Sequence, residues 1–140
     1  MSIEAKTSEI IEDFEMFDDW TSKYEYLIDL GRSLPEISPE HKDETHLIKG
    51  CQSRVWLDAR YENGKVYFSA DSDAQIPKGI VSLLVKVLSD ETPEDIVNSN
   101  LDFIDTIGLK EHLSPTRSNG LTSMIKQMKY YALAFQKTNG

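Results

Sequence analysis

The sequence predicts an α+β fold: a small antiparallel sheet, made of a hairpin over about residues 54–70 plus at least one further strand, covered by helices. Three observations carry this. Apolar residues recur at helical spacing through the first third of the chain. They alternate with a period of two only between Val55 and Ala70. From Ile80 onward they return to helical spacing. With 140 residues, and no internal repeat, low-complexity tract or Gly/Ser-rich linker, residues 1–140 read as a single domain with a real core.

The elements follow in order. Ile10, Ile11, Phe14 and Phe17 share one helical face, and Trp20, Tyr24, Leu27 and Ile28 another, with Asp18 or Asp19 breaking and re-capping the chain between them. Gly31 is expected to stop the second helix, before Leu34-Pro35. Glu36 to Thr45, under the influence of Pro35 and Pro39, reads as a surface loop, and Thr45 to Lys49 is the candidate for the further strand. In the hairpin, Asn63-Gly64 suits a tight two-residue turn. Pairing Glu62 with Lys65 then sets Tyr61 opposite Val66, Ala59 opposite Phe68 and Leu57 opposite Ala70, all on one apolar face. Pro77 opens a helix whose buried face is Ile80, Leu83, Leu84, Val87 and Leu88. Thr92-Pro93 caps another, and Leu101 to Ile107 forms a short one ending at Gly108. The last helix, capped by Ser118, carries the stripe Leu121, Met124, Ile125, Met128, Ala132 and Phe135.

Composition narrows function. Hydrophobic content of 39% with 28% charged residues describes a folded chain. A net charge of −9 argues against nucleic acid and anionic membrane surfaces as partners. The start, Met1-Ser2-Ile3-Glu4-Ala5-Lys6, has no basic region leading into an apolar stretch, and no apolar run is long enough to span a bilayer. Together with a lone cysteine, this leads us to expect a cytoplasmic protein.

That cysteine, Cys51, lies in Gly50-Cys51-Gln52-Ser53-Arg54-Val55-Trp56. A single thiol forms no internal disulfide and no thiolate metal site, which leaves nucleophile, group carrier or redox sensor. The window from Lys49 to Arg54 holds two cations and no acid, a setting that favours a thiolate. Gly50 permits a tight turn, and a loop anchored on a strand is a common place for reactive groups. A free cysteine is equally at home as a small buried hydrophobe, and the residues alone leave both readings open. His41, His46 and His112 show no ligand spacing, so no metal is expected and each reads as solvated or structural. In Leu113-Ser114-Pro115-Thr116-Arg117-Ser118-Asn119-Gly120-Leu121, a helix N-terminus beside Arg117 is able to hold an anion or thiolate; an ordinary capped helix start is the plainer reading.

These segments resemble the SufE family of cysteine-desulfuration proteins. The likeness rests on Gly50 to Trp56, Asp71-Ser72-Asp73-Ala74, Lys78-Gly79, Thr92-Pro93-Glu94-Asp95-Ile96-Val97, Leu113 to Leu121, and the earlier Leu30-Gly31-Arg32-Ser33-Leu34-Pro35. The resemblance implies a SufE- and IscU-like α+β fold and a sulfur carrier rather than an enzyme. Cys51 would accept persulfide sulfur from a cysteine desulfurase of the SufS or CsdA type and stimulate it. The sulfur would then pass to a SufBCD-type scaffold or another acceptor for iron–sulfur cluster assembly. No cofactor is expected on this chain, because pyridoxal phosphate belongs to the desulfurase. The resemblance further implies that Arg117 stabilises the thiolate or persulfide, that Asp73 belongs to the loop's environment, and that Gly50, Gln52 and Ser53 shape the loop. Pro77 departs from the pattern, where a backbone donor is expected. Two other readings stay open: a non-catalytic module that regulates a desulfurase, and a single-cysteine redox sensor.

Overall fold

The computed structural model describes residues 2–35, 37–51 and 53–139. Helix α1 (Ile3–Glu15) starts where the Ser2 hydroxyl accepts the Ala5 N–H, and α2 (Trp20–Arg32) where the Asp19 carboxylate accepts the Ser22 N–H at 2.7 Å. Strands β1 (Val55–Glu62) and β2 (Lys65–Ser72) form a two-stranded antiparallel sheet. Then come α3 (Gln75–Leu88), α4 (Pro93–Asn98), the short α5 (Phe103–Thr106) and the long α6 (Pro115–Asn139). No helix among the described residues is long and apolar enough to cross a membrane.

The hairpin has the register its alternation demands: Leu57 opposite Ala70, Ala59 opposite Phe68, Tyr61 opposite Val66 and Glu62 opposite Lys65. Asn63 and Gly64 both take positive φ, 53° and 80°, as a tight turn between twisted strands requires. The apolar face (Val55, Leu57, Val66, Phe68 and Ala70) is buried and lies against α3. That helix is the hub of the core. Ile80, Leu83, Leu84, Val87 and Leu88 are all but inaccessible, each burial contributing on the order of 1.5–3 kcal/mol before the entropy of ordering is set against it. Pro77 is the third residue of α3, and the first helical hydrogen bond is made by Lys78 N–H to Ala74 C=O, so no donor is needed at position 77.

Three expectations are corrected. Gly31 does not stop α2; it lies within the helix, buried where α2 crosses α3. A Cβ on Gly31 would lie 3.4 Å from the Gly79 nitrogen, and one on Gly79 only 2.4 Å from the Leu27 carbonyl oxygen. Gly79 is there for backbone contact, whereas a Cβ on Gly31 would meet α3 at close to ordinary van der Waals distance. Ser118 does not cap α6, because the helix begins at Pro115 and the Ser114 hydroxyl accepts the Arg117 N–H at 3.3 Å. Lastly, the described residues contain no third strand. Leu47 makes an isolated antiparallel bridge to Trp56, with Ile48 N–H bonded to Val55 C=O at 2.8 Å and Leu57 N–H to His46 C=O at 2.9 Å. The backbone then turns at Gly50 (φ 93°), which ends the pairing. On the other edge, Val66 bridges Glu91.

Glu91 also ties the first helix to the sheet. The Lys6 ammonium lies 2.6 Å from its Oε2 and donates to Ser89 C=O at 2.7 Å, with both charged side chains nearly withdrawn from solvent. Helix α6 closes the remaining side. Leu121, Met124, Met128 and Ala132 are buried, Phe135 stacks on Tyr61 at 5.5 Å, and the Tyr131 hydroxyl donates to Leu57 C=O at 3.2 Å.

Candidate functional site

Cys51 ends the segment that crosses from α2 to the hairpin, and it rests against α6. Its thiol is half-buried and 3.7 Å from the Gly120 carbonyl, to which the S–H donates. Gly120 has no side chain at the point of contact; a Cβ there would lie 3.4 Å from Cys51 Sγ. On the other side of the thiol, Gly50 takes a left-handed φ of 93°, and a Cβ on it would come within 2.6 Å of Ser123 Oγ. Gly50 thus lets the loop settle directly onto the helix, and Gly120 meets it at van der Waals distance. Burial pushes the Cys51 thiol above the ordinary cysteine range. The cationic window expected to activate the thiol does not act on it here, because Lys49 and Arg54 are exposed and burial alone sets the direction.

Beyond Cys51, the half-buried Ser53 lies at a bend, and Gln52 lies outside the described residues. The far side of the loop is pinned at Arg54. Its N–H donates to the Asp73 carboxylate at 3.0 Å, and its C=O accepts from Asp73 N–H at 3.2 Å and from the Ser72 hydroxyl at 2.7 Å. Asp73 therefore holds the backbone at the foot of the loop rather than touching the sulfur. Arg117 is exposed in the first turn of α6, one turn before Gly120, and its guanidinium forms no ion pair among the described residues. The structure thus brings Gly50, Cys51 and Asp73 to one loop and leaves Arg117 beside it, without contact to Cys51.

Sequence reasoning assigned no role to Gly120 or Ser123. Their contact with the loop comes from packing across 69 residues of chain, with no local pattern to reveal it. It also missed a cluster on the outward face of β1. His41, His46 and Asp58 bring their ligand atoms within 4.8 Å of one another. His112, by contrast, is structural, stacked on Trp20 at 3.9 Å.

The family model described as the SufE Fe-S metabolism associated domain matches residues 8–132. The chain belongs to the SufE family. Among its relatives is a SufE-like protein of Synechocystis sp., 40% identical over 92% of this chain and 81% of its own length. A SufE-like protein of Rhizobium etli is 38% identical, over 89% of this chain and 88% of the relative. A solution structure of a hypothetical protein from Thermus thermophilus shares the fold, with a TM-score of 0.79 at 22% identity, covering 94% of this chain and 96% of that one. Family membership assigns this SufE protein to iron–sulfur metabolism and sulfur transfer.

Proposed function

We propose that this SufE protein is a covalent sulfur carrier and an activator of a pyridoxal-phosphate-dependent cysteine desulfurase of the SufS or CsdA type. Cys51 takes the sulfur, which then goes to a SufBCD-type scaffold or another acceptor. The observation that carries the reading is a single thiol, half-buried at the edge of the core with a weak S–H···O contact to Gly120, in a loop bounded by a left-handed glycine and a pinned residue.

The step balances without an external oxidant. The Cys51 S–H loses its proton to water, and the thiolate attacks the outer sulfur of the desulfurase persulfide. A new S–S bond forms on Cys51, the partner's S–S bond breaks, and the partner's cysteine leaves as a thiolate. In the resting state, burial keeps Cys51 protonated. Release from Gly120 into solvent brings its pKa back towards the ordinary value of about 8.5 and raises the thiolate fraction. Reactivity is thereby coupled to the loop leaving its seat. Arg117, exposed and without an ion pair among the described residues, is the cation available to a persulfide anion. A redox sensor calls for an exposed, low-pKa thiol, the opposite of what burial does to this one.

The test is incubation with a cysteine desulfurase and cysteine, followed by mass mapping of the chain. One added sulfur on Cys51 and faster desulfurase turnover are expected. Equal stimulation by Cys51→Ala would leave only an interaction module.

A further inference from the structure

We propose that His41, His46 and Asp58 form a zinc site on the outward face of β1, separate from Cys51. His41 belongs to a short turn, Pro39–His41, in the crossing segment, and Asp58 projects from β1. His41 Nδ1 lies 2.8 Å from Asp58 Oδ2, and His46 Nε2 lies 3.5 Å from Asp58 Oδ1. Two donors about 2.0–2.1 Å from a tetrahedral zinc ion stand roughly 3.3 Å apart, so the three groups are close to the spacing that an ion needs. Imidazole, imidazole and carboxylate make the borderline nitrogen–oxygen set that zinc takes, with one position left for water or substrate.

Two further observations point to a ligand. The His41 Nδ1 atom is shut off from solvent and, although near Asp58, makes no aligned hydrogen bond. The atom thus faces the Asp58 carboxylate at ion-pair distance without hydrogen-bond alignment, and an ion shared between the two groups accounts for that geometry. His46 is also held as a ligand would be. Its other ring nitrogen, Nδ1, pairs with the Asp43 carboxylate at 2.8 Å, and the same carboxylate accepts the His46 backbone N–H at 3.1 Å. A carboxylate on the far nitrogen fixes the tautomer and aims Nε2 at the metal. His41 and Asp58 also line a cleft of about 460 Å³, together with Ser38, Arg60 and Tyr67, from which the fourth position is reached. Zinc there ties the segment leading into Gly50 and Cys51 to β1.

The test titrates metal-stripped full-length protein with Zn²⁺ against a chromogenic chelator. Wild type and Cys51→Ser are each expected to take one ion per chain. Asp43→Asn is expected to bind about 10–100-fold more weakly, and His46→Gln and Asp58→Asn at least as much more weakly, with circular dichroism unchanged. Imidazole NMR of the wild type gives a reading that depends on no variant: His41 and His46 signals shift with zinc while those of His112 stay put. Failure of the wild type to take up zinc, loss of uptake in Cys51→Ser, or zinc-induced shifts at His112 without His41 and His46 would overturn the site.

Discussion

Asp73→Ala tests whether the Cys51 loop is latched from its foot. The substitution removes the carboxylate that accepts the Arg54 N–H at 3.0 Å and leaves the bonds to the Arg54 carbonyl in place. A hydrogen bond to a charged group contributes about 1.5–3 kcal/mol when buried. Asp73 is exposed, so solvent reduces this to about 1 kcal/mol. If the thiol reacts only after the loop opens, its rate follows the open population, and about 1 kcal/mol raises that population about fivefold. The assay is alkylation by iodoacetamide under native conditions. With a single cysteine in the chain, all thiol signal reports one position. Asp73→Ala should speed alkylation about fivefold and lower the unfolding free energy by the same ~1 kcal/mol, because the open loop and the unfolded chain both lack this bond. Asp73→Asn keeps a neutral acceptor and should give roughly half the effect in free energy, about a twofold change. Equal rates for wild type and Asp73→Ala would refute the latch. So would an alkylation rate that rises with urea as steeply as global unfolding does, since the thiol would then be reporting unfolding rather than local opening.

Further outcomes follow from other contacts. The Cys51 thiol is raised by burial, so wild-type alkylation should keep climbing at pH values above the ordinary thiol range of about 8.5, whereas the unfolded chain levels off sooner. The sign for stability is fixed by linkage: between the unfolded and folded pKa values the native state holds the extra proton, so stability falls as pH rises, and Cys51→Ser should remove that part of the fall in urea titrations. Gly79→Ala should cost at least about 2–3 kcal/mol, read as a lower urea midpoint, because its Cβ would meet the Leu27 carbonyl oxygen at 2.4 Å and backbone does not yield cheaply. Arg117→Ala should leave resting Cys51 alkylation unchanged, since the guanidinium makes no contact with the sulfur, and should slow sulfur transfer from the desulfurase severalfold in a single-turnover assay.

What was legible in the sequence was what neighbours in the chain decide. The hairpin register follows from one turn and a period of two, and the Asp19 and Thr92 caps follow from bonds spanning three residues. Gly31 was misread because a glycine ending a helix and a glycine buried inside one look alike until the packing partner, α3, is known. The charge around Cys51 misled for a related reason: Lys49 and Arg54 are close in sequence but extend into solvent, while the thiol turns inward to Gly120. The histidine cluster depends on Asp58, which only the bridge between Leu47 and Trp56 brings alongside His46.

The ion pair between Lys6 and Glu91 has a consequence for where this protein can be cut. The family match begins at residue 8, which would invite trimming the chain to that point. Removing Lys6 would strand the Glu91 carboxylate, almost fully enclosed, without its counter-charge. Stranding one partner of a buried pair costs about 3–5 kcal/mol, a large share of a small domain's stability. The first turn of α1 is therefore a buttress of the sheet, and the minimal folding unit is longer than the recognisable family motif.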